Sequence, residues 1–288
     1  MNSMPNLYFS PLRFLLGLSF ALILQYLFFG YVSGQFYKPK EYQSPPLFNS
    51  YFASKFSSEI TKYPRIVGSS HFNRSYDLLF QLLAQLSSNS NMNKTLAFSF
   101  TGGNVSSTSG RNINHIQNDI RSITITINST NIKSTTPIIL SSHLDSHATT
   151  TGSYDDGINV ALMISLAAAI MKSNETIRQP IQFIFLGSEE MGLHGSLQYV
   201  SKNNDLKGHI LNMESFGRGR PFGLIWKAKK SSSVVRSFSR IKGSLIATFF
   251  TDITKLKILN SRSDIDIYDQ IGLTGGQMAS FPRMSKPR

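Results

Sequence analysis

The sequence predicts an α/β fold: a mixed central β-sheet flanked by helices on both faces, preceded by one transmembrane helix. Two observations carry the sheet. From Pro137 to Gly192 an apolar run, a polar loop, an apolar helix, a second apolar run and a second polar loop follow in turn. That is the order of a βαβ unit. Leu96–Phe100 and Ile120–Ile127 alternate with period two and read as further strands. The span rests on Phe14–Gly34, which carries no charged residue. A helix of ~20 residues crosses a hydrocarbon core of ~30 Å.

Taken in order, residues 1–13 form a short polar tail and residues 14–34 the expected signal-anchor helix, with Tyr26 and Tyr31 as interfacial anchors near its distal end. A cleaved signal peptide ending at Val32-Ser33-Gly34 is the alternative. Residues 35–47 are a linker containing Pro and Lys, and residues 48–288 form the main domain. Leu47–Tyr63 and Tyr76–Leu86 have helical spacing, and Ser87–Asn93 is a polar loop. Thr101–Arg111 is rich in Gly and Ser and is expected to be a loop. Leu193–Val200 is expected to be helical and His209–Met213 a strand.

The centre of the chain carries the chemistry. Pro137–Ser142 is a buried strand with His143 and Asp145 at its carboxyl end. Asp155 and Asp156 open a helix whose apolar face holds Ile158, Leu162, Ile164–Leu166 and Ile170; carboxylates in a first turn suit the helix dipole. Ile181–Leu186 is a second buried strand, followed at once by Glu189 and Glu190. In open α/β sheets ligands bind at the carboxyl ends of strands. A set of His, Asp and Glu at such ends offers the nitrogen and oxygen donors that zinc takes. Each residue alone has a plainer reading: Asp155-Asp156 as a helix cap, Glu189-Glu190 as a solvated turn, His143 as a structural histidine. Their order and spacing together favour the ligand reading.

Composition narrows the classes. The 288 residues include no cysteine, which excludes thiolate metal ligands and a cysteine nucleophile and weighs mildly against an oxidising compartment. Asn-x-Ser/Thr sequons at Asn73, Asn93, Asn104, Asn128 and Asn174 all follow the apolar span, as expected of a lumenal main domain. Most of the net charge of +13 lies beyond residue 202, with Lys227, Lys229, Lys230, Arg236, Arg240 and Lys242 closely spaced. With one Trp and no binding motif, this reads as a solvated basic face, and no nucleic-acid partner is expected.

Two further segments complete a pattern. They are Tyr63-Pro64-Arg65-Ile66-Val67-Gly68-Ser69 and Asn212-Met213-Glu214-Ser215-Phe216-Gly217. With the His143 to Asp155 spacing, the stretch from Phe48 to Phe281 resembles the di-zinc aminopeptidase family that includes aminopeptidase Y and glutamate carboxypeptidase. Within it, the chain is most similar to the membrane-anchored endoplasmic reticulum metallopeptidases. The resemblance implies a zinc exopeptidase-like fold, a peptide substrate and two Zn2+ per domain. It implies Asp155 bridging the two ions, His143 and Glu214 completing one site, and Glu190 binding the other. Glu189 would be the general base, and Asp145 would orient His143 through its other ring nitrogen. Placement in the endoplasmic reticulum membrane with a lumenal main domain follows, the secretory pathway or vacuole being the alternative.

One departure bears on activity. The family takes its last zinc ligand from a histidine in a Tyr-His-Thr-like segment, and here no histidine follows His209. Ser263-Asp264-Ile265-Asp266-Ile267-Tyr268 and Gly272–Phe281 still resemble the family's closing helix entry and strand, so the domain is expected to be C-terminally incomplete. His71, His115, His147, His194 and His209 match no family ligand. Three functions are therefore open: a zinc aminopeptidase, a catalytically impaired membrane-tethered pseudo-peptidase acting as a binding module, and a glutaminyl cyclase-like enzyme. That last group usually carries a residue such as Ser where this chain has Asp156. Peptide specificity and oligomeric state have no readable code.

Overall fold

The computed structural model describes residues 47–88, 93–109, 113–215, 222–227, 231–241, 245–246 and 262–280, with isolated positions at 19–20, 23–24 and 256. The expected membrane span and the linker lie outside these residues, the isolated helical positions aside. The chain divides between Gln43 and Ser44, and the architecture below is that of the second unit.

Two helices come first, α1 (Ser50–Ile60) and α2 (Ser70–Ser88). Asn49 starts α1 by accepting the Phe52 N–H at 2.9 Å. Strands β1 (Lys94–Ser109) and β2 (Ile113–Ser129) form an antiparallel ladder. Then follow β3 (Ile138–His143), α3 (Ile158–Lys172), β4 (Ile181–Leu186), α4 (His194–Lys202) and β5 (His209–Glu214). The remainder is β6 (Phe222–Lys227), α5 (Ser232–Ser239), β7 (Leu245–Ile246), α6 (Asp264–Gln270) and β8 (Thr274–Ser280).

The eight strands form one sheet in the order β1-β2-β4-β3-β5-β8-β6-β7. Its centre is parallel: β4, β3, β5 and β8 run together, while β2 and β6 pair antiparallel to either side. The sheet is therefore mixed, as its α/β pattern predicts. Alternation along β4 separates two cores. Phe183 and Phe185 face a layer built with Phe56, Phe72, Leu79, Val160 and Met163, and Ile184 and Leu186 face one built with Tyr199, Ile210, Ile265 and Tyr268. Successive strand side chains point to opposite faces, so one short apolar run serves both layers.

Two expectations fail locally. Thr101–Ser109 is strand rather than loop: Thr101 pairs with Ser122 and Ser109 with Ile113, and a bulge between Gly103 and Val105 absorbs the glycines. Ladder hydrogen bonds to β2 override the turn-like composition. Asp155 and Asp156 also do not lie in the first turn of α3. They sit in a π-turn ahead of it (Ser153–Gly157) with non-helical backbone angles, joined by a cis peptide bond. Helix α3 itself ends on a buried lysine: Lys94 Nζ donates to the carbonyls of Ile170 (2.8 Å) and Ser173 (2.5 Å). Together with the preceding π-turn it makes a stretch, Ser153–Lys172, long and apolar enough to cross a membrane, but α3 packs in the core against α1 and the sheet.

Candidate metal centre

The carboxyl ends of three neighbouring parallel strands meet at one place. In register, His143 of β3 lies beside Leu186 of β4, and Ser141 of β3 beside Asn212 of β5. The loops leaving β3 and β4 and the end of β5 therefore project polar side chains into a common space. Both acidic turns are set by left-handed backbone: Ser188 (φ 69°) precedes Glu189 and Ser215 (φ 49°) follows Glu214. Such angles are uncommon outside glycine and gather where a site must aim its side chains.

The acidic groups surround one ring nitrogen. His143 Nε2 lies 3.2 Å from Asp155 Oδ1, 3.5 Å from Glu214 Oε1 and 4.0 Å from Glu189 Oε2. Tetrahedral ligands at zinc distances of ~2.0–2.2 Å are roughly 3.3–3.6 Å from one another. The Asp155 and Glu214 oxygens thus each lie at ligand-like spacing from His143 Nε2, and Glu189 stands farther out. His143 Nδ1 lies 3.1 Å from the Asp145 carbonyl, which suits a donated N–H and leaves Nε2 as the lone-pair nitrogen. His143, Glu189 and Glu214 are buried or nearly so; the Asp155 side chain, 38% exposed, opens the group to solvent.

Charge follows from this crowding. Burial pushes Glu214 and Glu189 well above the usual carboxylate range, with neighbouring carboxylates adding to it and His143 opposing it. Burial would lower His143, but the carboxylates of Asp145, Asp155, Glu189 and Glu214 prevail and hold it well above its ordinary value. Asp155 moves the other way: hydrogen bonding and charge from His143 outweigh burial and keep it ionised. A site with more carboxylates than cations to balance them is one that a divalent ion would relax.

The remaining expected residues take other places. The Asp145 carboxylate is 3.6 Å from His143 Nδ1, beyond a hydrogen bond, so it is the backbone carbonyl of Asp145 that holds the ring. Its two oxygens instead accept the backbone N–H groups of Glu189 and Glu190, at 3.0 Å each. Glu190 Oε1 accepts the His147 N–H at 3.1 Å and makes no ion pair with His143. Asp156 has a carboxylate oxygen within 4.8 Å of the His143 and Asp155 donors. Both its oxygens, however, are taken by Ser142 Oγ (2.5 Å) and Asn159 Nδ2. Burial pushes it up to about 7. We read it as a support rather than a ligand. Ser142 and Asn159 give no sequence signal of this role beyond their place beside the motif. Among the sequons, Asn93, Asn104 and Asn174 are exposed, while Asn73 and Asn128 are half-buried. The Asn73 Oδ1 atom is buried inside α2. Of the basic cluster, Arg236 and Arg240 are exposed on α5, and the side chains of the four lysines lie outside the described residues.

Comparison with known proteins places this geometry. The profile of Peptidase family M28 matches residues 122–286, more than half of the chain. A vacuolar membrane protease of Candida dubliniensis is 27% identical over 152 residues, which is 52% of this chain and 16% of that protein. One of Clavispora lusitaniae is 28% identical over 155 residues, 52% of this chain and 14% of that protein. The chain thus spans about a sixth of the length of these relatives. A zinc aminopeptidase from Bacillus subtilis superposes with TM-score 0.62 over 85% of this chain and 88% of its own, at 14% identity. A glutaminyl cyclase from Porphyromonas gingivalis does so with TM-score 0.56 over 84% and 87%, at 15% identity.

Proposed function

The chain belongs to Peptidase family M28, and from that premise we propose that it is the metal-binding core of a zinc-dependent peptide hydrolase acting on peptide N-termini. The observation that carries the proposal is the convergence of Asp155, Glu214 and Glu189 on His143 Nε2 at the carboxyl ends of parallel strands. The same fold in a zinc aminopeptidase supports it.

His143, Asp155 and Glu214 would hold the ion. Zinc bound there supplies a Lewis acid that lowers the pKa of water and polarises the scissile carbonyl. Glu189 is placed to take the proton as water oxygen bonds to the carbonyl carbon, and to return it to the leaving amine as the C–N bond breaks. Asp145 fixes the backbone of that base. Glu190 lies in the same loop, where its carboxylate accepts the His147 N–H, and would help to hold a second ion. The vacuolar membrane proteases support a membrane-associated location such as the vacuole; endoplasmic reticulum placement through the N-terminal span rests on the sequence alone.

Zinc content and hydrolysis of a leucyl peptide, measured on one sample, test the reading. Bound zinc with turnover that is lost in Glu189→Gln supports it. A folded chain that takes up no zinc overturns it. Because, among the described residues, one metal's donors converge and Glu190 accepts the His147 N–H, a glutaminyl cyclase-like activity is the second reading; its assay is ring closure of an N-terminal glutaminyl peptide.

A further inference from the structure

Arg65 is 0% exposed and heads the fully buried side chains. Its guanidinium is spent on main-chain carbonyls. Nε donates to Leu144 O at 2.6 Å, Nη1 to Thr151 O at 2.6 Å and Ile60 O at 3.4 Å, and Nη2 to Gly152 O at 3.1 Å. Its own backbone is tied as well: Arg65 N–H donates to Ser146 Oγ at 2.8 Å, and Ser146 N–H to Arg65 O at 3.2 Å.

These acceptors have a common property. Leu144 separates His143 from Asp145, and Thr151 and Gly152 begin the turn that delivers Asp155. One planar fork thus grips the connection leaving β3 at two points, just after His143 and just before the turn bearing Asp155. The glycines of the Gly152-x-x-Asp155-Asp156-Gly157 motif fit around it. A Cβ on Gly152 would come 2.9 Å from Arg65 Nη2 and 2.5 Å from both Asp155 O and Ser146 Cβ. On Gly157 it would come 2.3 Å from Thr61 Cγ2 and 3.4 Å from Arg65 Nη2. Burying a cation among neutral acceptors is costly unless something nearby compensates. Burial pulls the guanidinium down to about 10, against the opposing charges of Asp145, Asp156, Asp155 and Glu190. It therefore stays charged at neutral pH and offsets part of the carboxylate repulsion.

We propose that Arg65 is a positioning residue of the metal centre, setting the spacing of His143 and Asp155 before an ion arrives by clamping the Leu144 and Thr151–Gly152 carbonyls. The inference rests on the metal-centre reading above. Lysine keeps the charge but lacks the fork that reaches three carbonyls at once.

The test measures zinc affinity of the full chain by competition with a chromophoric chelator. Circular dichroism of the zinc-free protein is followed at the same temperature, held below the melting transition. Arg65→Lys is expected to bind zinc ~10–100-fold more weakly with an unchanged spectrum, the loss typical of groups that orient metal ligands. At saturating zinc its kcat falls while KM changes little. Ser146→Ala, which removes the hydroxyl that accepts the Arg65 N–H at 2.8 Å and donates to the Thr150 and His147 carbonyls at 3.3 and 3.4 Å, weakens binding by a smaller factor and decides the matter if Arg65→Lys does not fold. A purely structural role would lower the melting temperature and leave zinc affinity below it untouched; wild-type affinity in a folded variant overturns the proposal for Arg65 alone. No zinc binding by the wild type would instead overturn the metal-centre reading itself.

Discussion

The carboxylate of Asp145 holds the backbone of Glu189: Oδ1 accepts the Glu189 N–H at 3.0 Å while Oδ2 takes that of Glu190. The second residue after the β3 histidine thereby sets the aim of the β4 loop. Asp145→Asn can satisfy only one of these donors and turns an N–H towards the other. Hydrogen bonds to charged groups contribute about 1.5–3 kcal/mol each. The variant is expected to lose about that much stability in a urea titration. It should also lose more in kcat than in KM, since the base is misplaced and zinc contacts remain.

Glu189→Gln keeps the shape of the base and removes its proton affinity. Turnover is expected to fall ~10²–10⁴-fold with zinc stoichiometry unchanged. Zinc analysis beside the rate separates this from loss of a ligand, which His143→Ala should show.

Metal removal should register in stability as well as in activity. An ion that binds only the folded chain stabilises it by about 2.7 kcal/mol at a free concentration of 100 times Kd. Chelation is expected to lower the melting temperature of the wild type and to leave that of His143→Ala unmoved.

Gly152 has φ 60° and no room for a side chain. A non-glycine residue there costs about 1–3 kcal/mol from backbone angle alone. Contact with Ser146 Cβ and Asp155 O adds to it. Gly152→Ala should therefore be less stable than Gly68→Ala, where φ is also positive but nothing lies near the new methyl.

Asp264, a buried carboxylate within electrostatic reach of His143 and Glu189, supplies a pH test. Burial pushes its carboxyl up from 3.8 to about 6, with the charge of His143 opposing and the carboxylates of Asp145 and Asp266 adding. A raised folded pKa means that the folded chain holds this proton more tightly than the unfolded one. Stability from the group is complete below its unfolded pKa and is lost as pH rises through about 6. Asp264→Asn removes that loss. In the presence of chelator, its stability relative to wild type should improve by up to ~3 kcal/mol between pH 4 and pH 8; a gap that does not widen with pH would count against the shift.

The strands that frame the site were legible because burial on both faces leaves largely apolar runs, as in Ile138–Leu140 and Ile181–Leu186. The clustering of His143, Asp155, Glu189 and Glu214 was readable from their places at element ends. What was not readable depends on partners distant in the chain. Thr101–Ser109 becomes strand only because Ile113–Ser122 lies beside it. The carboxylate of Asp145 turns from the nearby His143 to amides more than forty residues on. Arg65 was visible as part of a motif, but its carbonyl acceptors near residues 144 and 152 were not. Local propensity carries no record of such contacts.

The alternation along β4 ties catalytic geometry to both cores at once. Since Phe185 points to one layer and Leu186 to the other, a slip of one residue would drive each side chain into the wrong face. No such half-step exists between right and wrong. The loop bearing Glu189 therefore inherits its position along the strand axis from two hydrophobic layers that never touch a substrate. Variation that reshapes either layer can alter the fit of the base to its partners without changing a single polar residue.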